Sequence, residues 1–197
     1  KLCANEETGA IVAALTTSLP EHDAVTGAGR NWDYRYCWLR DAYYVVQALN
    51  RLGAADMLEN YLVYLRNLVD LATRGDMAPP GGASLQPELP GLSPGRPHAR
   101  AGHIQPVYGV GLEPVLTEWT APHLPGYRGI GPVRVGNQAH EHMQHDVYGQ
   151  IVLSTVQAFF DERLLRPATV EDFRALEPIG ERAFELHDKP DASLWEF

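Results

Sequence analysis

The fold class is decided by residues 58–72, which read LENYLVYLRNLVDLA. Apolar residues recur there at intervals of three and four positions, the spacing that places side chains on one face of an α-helix. They are Leu58, Tyr61, Leu62, Leu65, Leu68 and Ala72. Gly75 follows this stripe, so we predict an amphipathic helix that closes at that glycine.

Two flanking stretches have the same periodicity. Residues 42–52 carry apolar side chains at helical spacing before Gly53, which is typical of a helix end. A further stripe runs from Ala139 to Phe159 (139–159), and Asn137 is placed to cap its start. We therefore predict one helix over each stretch.

A fourth helix is indicated near the end of the chain. Thr169 and Asp172 have the spacing of a capping box, ahead of apolar positions that continue to Leu186. Pro178 lies inside this stripe and is expected to kink or split the helix. Period-two alternation is confined to short pieces, at 105–108 and 133–135, so the sequence predicts an all-α fold.

A long segment separates these helical stretches. Residues 78–111 are rich in proline and glycine, which interrupt helices, and loops of this length inside a compact domain are usually functional or mobile. Helix pairs that alternate with long loops suit a toroid of paired helices. Four or five helices would build only part of such a ring, and its open side would expose apolar surface. Phe159, Phe173 and Ile151 are then expected to lack partners.

Composition indicates one globular domain and excludes some partners. The chain has 197 residues, 45% hydrophobic, and a net charge of −9, which argues against a polyanion such as nucleic acid. No apolar run of ~18 residues and no signal-like start are visible, so we expect no membrane partner. Cys3 and Cys37 are too few for a disulfide framework, and the cytoplasm is the default location, although a mature secreted enzyme would share these features.

The first group of chemistry-bearing residues is the run 30–41, which reads RNWDYRYCWLRD. Aromatic faces interleaved with arginine and aspartate suit a sugar, because sugar C–H surfaces stack on rings while hydroxyls need charged partners. Each aromatic taken singly is more often a core residue, and Asp41 could simply cap the following helix.

The second group is Leu194–Trp195–Glu196. A carboxylic acid beside an indole is a setting that raises the carboxyl pKa and keeps the group protonated for proton donation. Most such pairs are nevertheless ordinary surface turns.

Together these motifs resemble glycoside hydrolase family 15, the family of glucoamylases, glucodextranases and some bacterial trehalases. The resemblance rests on the run 30–41, on GYRGIGPVRVGN at 126–137 with DVYG at 146–149, and on 194–196. It is to the bacterial branch and implies an (α/α)6 barrel. We expect residues 1–197 to be an incomplete catalytic domain. The N-terminal β-domain and the C-terminal half of the barrel would come from missing sequence or another chain.

The resemblance also implies roles for individual residues. Glu196 matches the general acid, and Arg40 with Asp41 matches the pair that holds the hydroxyls of the non-reducing glucose. Further substrate-binding candidates are Trp38, Tyr34, Trp195 and Arg134. Arg134 is open to a substrate or a structural role. The partner base belongs to a region that this chain does not contain.

The implied activity is that of an inverting, exo-acting α-glucosidase that releases β-glucose from oligosaccharides without a cofactor. Alternatives are a trehalase and a non-catalytic family-15-like module. His140 lies two and five positions before His142 and His145, a spacing that does not place it on their helix face. His142 and His145 lack an obvious third ligand, so no metal site is expected.

Overall fold

A computed structural model describes residues 2–17, 19–22, 29–74 and 102–193. This part of the chain is mostly helical, as the sequence predicts. Its α-helices are α1 (Leu39–Arg51), α2 (Ala55–Arg74), α3 (Asp146–Thr155) and α4 (Val170–Leu186). Short 3-10 helices cover Tyr127–Gly129, Gln138–Glu141 and Val156–Phe159.

The strands are short and pair two by two in antiparallel fashion. They are β1 (Pro20–His22) with β2 (Gly29–Asn31), β3 (Cys37–Trp38) with β4 (Val107–Tyr108), and β5 (Trp119–Ala121) with β6 (Val133–Val135). The extended pieces predicted near 105–108 and at 133–135 are thus strands β4 and β6. No strand pair is large enough to form a layer of its own, so the helices define the described fold.

Helices α1 and α2 form a pair joined by residues 52–54. The first begins at Leu39, three positions before the predicted start, and ends at Arg51, one position before the predicted end. Asp41 lies inside its first turn and is not its cap. A carboxylate there is favoured by the positive end of the helix dipole. Helix α2 runs to Arg74, and the predicted stop at Gly75 lies outside the described residues.

The continuous helix predicted over 139–159 is wrong. Asn137 does cap its start, since its side chain accepts from the Ala139 N–H at 2.9 Å, but the capped element is a short 3-10 helix. The chain then breaks before α3 begins at Asp146. Tertiary contacts explain the break: the His145 N–H donates to Asp191 at 2.8 Å instead of to a preceding carbonyl.

The capping box of α4 is confirmed. The Thr169 hydroxyl accepts from the Asp172 N–H at 3.2 Å, and the Asp172 carboxylate accepts from the Thr169 N–H at 2.7 Å. Pro178 does not split the helix, which continues to Leu186. Ile179, directly after the proline, is fully buried, so packing holds this part of the helix against the others.

Helices α1 and α3 lie side by side and run in the same direction. At their starts, Arg40 of α1 hydrogen-bonds Gln144, which lies just before α3. At their ends, Asn50 of α1 hydrogen-bonds Gln157, which follows α3. Because the two N-terminal ends contact each other and the two C-terminal ends do so as well, α1 and α3 are parallel neighbours, although α2 lies between them in sequence.

The core lies between the four helices and is closed by buried tyrosines. The rings of Tyr61 and Tyr64 stack with centroids 6.1 Å apart, and the Tyr64 hydroxyl donates to the Gly109 carbonyl at 2.9 Å. Cys37 is completely buried, which raises the pKa of its thiol to about 12. This thiol therefore stays neutral at ordinary pH and acts as an apolar core group.

Several large apolar side chains remain exposed around the end of α3 and the start of α4. Phe159, Phe160 and Phe173 are 38%, 67% and 54% exposed. Phe159 and Phe173 contact each other edge to face, with centroids 6.1 Å apart. The expectation that Ile151 lacks partners is wrong, because α1, α2 and α4 surround it and leave it 1% exposed. No helix among the described residues is long and apolar enough to cross a membrane.

Candidate active site

The first turn of α1 brings Arg40 and Asp41 to one place. The Arg40 guanidinium donates from Nη1 to the side-chain oxygen of Gln144 at 2.9 Å. Nη1 also lies 3.6 Å from a carboxylate oxygen of Asp146, and Nη2 lies 3.9 Å from the Asp41 carboxylate. One amide and two carboxylates therefore surround this cation.

Arg40 and Asp41 line a cavity of about 260 Å³. Its other lining residues are 11–13, Ala42, Tyr44 and Val45. This volume is slightly below the ~300–1,000 Å³ typical of ligand pockets. The Asp41 carboxylate is half exposed and the Arg40 side chain mostly buried, so the carboxylate is the more accessible of the two charges.

Trp38 and Tyr34 pack together beside the start of α1. Their ring centroids are 6.0 Å apart, with the planes inclined by 51°. The indole is 5% exposed and belongs to a small cluster with Val107, Leu116 and Ala139. The Tyr34 ring is half buried, and its hydroxyl hydrogen-bonds the Glu21 carboxylate. Both aromatics belong to the run 30–41, and neither is among the described residues that line the cavity beside Arg40 and Asp41.

Arg134 lies in an ion-pair network rather than alone. Its Nη1 donates to Glu118 at 2.6 Å, and Arg30 donates to both oxygens of the same carboxylate at 3.1 Å. The Arg30 guanidinium also lies 3.8 Å above the Trp32 ring. This network ties β2 to β6 and favours the structural interpretation of Arg134. A substrate contact by Arg134 stays a prediction.

A buried carboxylate that sequence analysis left without a role joins the two main motifs. Asp33 is fully buried and accepts two hydrogen bonds from the Arg35 guanidinium, each at 2.9 Å. It also accepts from the Gly136 N–H at 3.2 Å, and the Tyr36 hydroxyl accepts from the same N–H at 3.1 Å. Burial, together with the neighbouring Asp33, raises the pKa of the Tyr36 phenol. Asp33 lies in the run 30–41 and Gly136 in the stretch 126–137, and these positions are the sequence signal that could have identified both residues.

The end of the described chain returns to the segment that precedes α3. The Asp191 carboxylate accepts from the His145 N–H at 2.8 Å, and the Ala192 N–H donates to the Met143 carbonyl at 2.9 Å. The bond from His145 lowers the pKa of the Asp191 carboxyl. Trp195 and Glu196, the predicted aromatic and general acid, lie outside the described residues.

The histidines near α3 have separate environments. The buried His140 ring contacts the Asn137 carbonyl through Nδ1 at 2.9 Å. Over the described ranges, no three histidine, cysteine or acidic side chains come together in a way that could hold a metal ion.

The described fold is mostly helical, and an arginine and an acid lie together at the start of one of its helices. Residues 1–74 match the family model of glycosyl hydrolases family 15. Over this segment the chain is therefore similar to glycoside hydrolase family 15.

Relatives align along nearly the whole chain. It is 32% identical to the trehalase of Mycobacterium tuberculosis over 96% of this chain and 23% of that protein. It is 33% identical to the trehalase of Mycolicibacterium smegmatis, covering 96% and 24%, and 31% identical to that of Thermoplasma volcanium, covering 98% and 25%. The chain thus spans about a quarter of the length of these relatives. No solved structure matches it.

Proposed function

We propose that this chain is part of an inverting glycoside hydrolase that removes glucose from the non-reducing end of α-glucosides. Arg40 and Asp41 hold the hydroxyls of that glucose, and Glu196 protonates the leaving oxygen. The match of residues 1–74 to the model of glycosyl hydrolases family 15 supports the reaction class. The cavity beside Arg40 and Asp41 supports their assignment as the sugar-binding pair.

One observation carries this proposal. The anchored residues Asp191 and Ala192 contact Met143 and His145, the two neighbours of the glutamine that binds Arg40. Glu196 follows Ala192 by four residues, a separation that an extended chain spans in at most ~14 Å. A general acid on such a short tether is within reach of a sugar held at Arg40.

The chemistry needs two carboxyl groups on opposite sides of the bond, roughly 6.5–9.5 Å apart. The acid gives its proton to the glycosidic oxygen as the C1–O bond breaks. A carboxylate base takes a proton from the water whose oxygen attacks C1 from the other face, so the configuration inverts. Glu196 is the proposed acid, and the base belongs to sequence outside these 197 residues.

An exo mode follows from the charges at the start of α1. A carboxylate and a guanidinium that bind the terminal hydroxyls would lose these partners if the sugar chain continued past that glucose. Trehalose and maltose both present such a terminal glucose. The names of the relatives favour trehalose as the substrate, and a glucoamylase-like enzyme that acts on α-glucans is the alternative.

We further propose that the four helices form part of an (α/α)6 barrel. Two features support it: α1 and α3 are parallel neighbours, and each is followed in sequence by a helix that packs against it. The remaining helices and an N-terminal β-domain would come from sequence outside the chain or from another chain. We call the longer protein or assembly that contains these parts the complete protein.

The test is to supply the complete protein with trehalose, maltose and isomaltose and to follow the anomeric protons by NMR. We expect glucose from trehalose, and from any accepted disaccharide of the α-1,4 or α-1,6 type we expect the β-anomer first. Release of the α-anomer first would contradict inversion. Binding of these sugars without any release would favour the non-catalytic module instead.

A further inference from the structure

Two distant parts of the described chain meet at three consecutive residues, Met143, Gln144 and His145, which we call the 143–145 segment. Its backbone contacts residues 191 and 192: the Met143 carbonyl accepts from the Ala192 N–H at 2.9 Å, and the His145 N–H donates to Asp191 at 2.8 Å. The side-chain oxygen of Gln144, the middle residue of the segment, accepts a hydrogen bond from the Arg40 guanidinium at 2.9 Å. The segment is therefore in contact with the sugar-binding side as well.

We propose that Gln144 is a positioning residue that orients the Arg40 guanidinium toward the glucose. The 143–145 segment also fixes the position of this guanidinium relative to residues 191 and 192, which lead to Glu196. This inference rests on the proposed function. Gln144 does not touch the substrate in this account. It acts through Arg40.

The distances indicate that Gln144 sets the direction of the guanidinium. Its oxygen is the only one of the three acceptors around Arg40 at hydrogen-bonding distance, since the oxygens of Asp146 and Asp41 are 3.6 and 3.9 Å away. Carboxylates at that range attract the cation but do not fix its orientation. Gln144 is 1% exposed, so packing fixes its own position.

The neutral amide has a further consequence. A carboxylate at position 144 would form a full ion pair with Arg40 and compete with sugar hydroxyls for its N–H groups. An amide oxygen takes one N–H but adds no negative charge to the two carboxylates that already lie near the guanidinium. Gln144 therefore orients the cation while keeping it available to the substrate.

The experiment uses the complete protein and the variants Gln144→Ala and Gln144→Glu. Gln138→Ala is the matched control, because Gln138 is exposed and its side chain donates to the exposed Glu141 carboxylate at 3.3 Å. For Gln144→Ala we expect kcat/KM on trehalose to fall roughly 10- to 100-fold, the range for loss of a hydrogen bond to a charged group. Gln138→Ala is expected to stay within about twofold of the parent protein.

A second substrate separates positioning of the sugar from positioning of the acid. α-Glucosyl fluoride needs little protonation of its leaving group, so a residue that acts through Arg40 affects it and trehalose equally. We expect this equal loss for both Gln144 variants. Asp191→Ala, which releases the chain leading to Glu196, is expected to impair trehalose more than the fluoride.

Melting temperatures complete the test. Gln144→Glu keeps the side-chain volume and an acceptor for Arg40, so we expect it to fold like the parent protein and still lose activity, which a purely structural role would not produce. If Gln144→Ala does not fold, Gln144→Glu decides. Full activity in Gln144→Glu, or a loss on trehalose alone, would overturn the positioning role. Absence of turnover in the parent protein would instead overturn the proposed function, and this inference with it.

Discussion

The buried carboxylate of Asp33 accepts a hydrogen bond from the backbone N–H of Gly136 at 3.2 Å, across 103 residues of sequence. The Asn137 side chain reinforces the link by donating to the Asp33 carbonyl at 3.3 Å. The run 30–41 and the segment 133–137 are thus one structural unit, although they are far apart in the chain. The contacts within this unit therefore fix the position of the residues that precede Arg40.

Removing the Asp33 carboxylate should weaken that unit. Asp33→Ala leaves the Arg35 guanidinium without its two 2.9 Å hydrogen bonds and opens space in a fully buried position. We expect a loss of about 1–3 kcal/mol in the free energy of unfolding, because Arg35 is partly exposed and can turn toward water. Urea unfolding of the complete protein measures it.

Asp70→Ala is the control for this prediction. Asp70 pairs with Arg74 in α2, and both side chains are more than half exposed. Such an exposed pair contributes about 0.2–1 kcal/mol. Equal losses for the two variants would contradict a structural role of Asp33 beyond that of a surface ion pair.

Position 136 requires glycine for two reasons, its backbone conformation and the close approach of a neighbouring backbone atom. Its φ is +85°, and a Cβ there would lie 2.2 Å from the Thr117 carbonyl oxygen. Gly53 has the same φ but open space around it. We expect Gly53→Ala to cost about 1–2 kcal/mol for the backbone alone, and Gly136→Ala a further 1–3 kcal/mol for the clash. Equal shifts of the unfolding midpoint would show that the close contact with Thr117 is not retained.

Asp41→Ala tests the sugar-binding pair. Loss of a charged acceptor for the glucose hydroxyls should reduce transition-state stabilisation by about 2–5 kcal/mol, measured from kcat/KM of the complete protein. Asp56→Ala is a matched control, since Asp56 is an exposed carboxylate in the first turn of α2. Activity unchanged by Asp41→Ala toward maltose, trehalose and isomaltose alike would refute the assignment.

The exposed phenylalanines predict the behaviour of the isolated 197 residues. Phe159, Phe160 and Phe173 should bind a hydrophobic dye in this chain and be covered in the complete protein. Replacing Phe160 and Phe173 by serine should reduce the dye fluorescence of the isolated chain. A sharp, cooperative melt of a monomer that binds no dye would contradict the proposal of a partial barrel.

The elements that could be predicted from the sequence are those with local causes. Helix α4 begins where the Thr169 and Asp172 side chains satisfy backbone N–H groups, and both residues are visible in the sequence. The break before α3 could not be predicted, because it depends on Asp191, which is 46 residues away from the His145 N–H that it binds. Helical periodicity at 139–159 carries no information about such a partner.

The same distinction applies to the candidate site. Arg40 and Asp41 could be proposed because they stand together in one motif. Gln144 could not, because its amide reaches Arg40 only through the packing of α1 against α3, 104 residues apart. Arg134 was open to two roles in the sequence, and the Glu118 carboxylate that pairs with it came from a residue to which the motifs assigned no function.

We propose that this chain supplies the proton donor and the glucose-binding pair of a glycoside hydrolase. The variant Glu196→Gln of the complete protein, assayed on trehalose and on α-glucosyl fluoride, tests this proposal. The amide keeps the shape of the side chain but cannot deliver a proton, so we expect kcat on trehalose to fall roughly 10²–10⁴-fold and the fluoride to be affected much less. An equal loss on both substrates would mean that Glu196 positions the sugar, and no loss on either would exclude it from the site and contradict the claim.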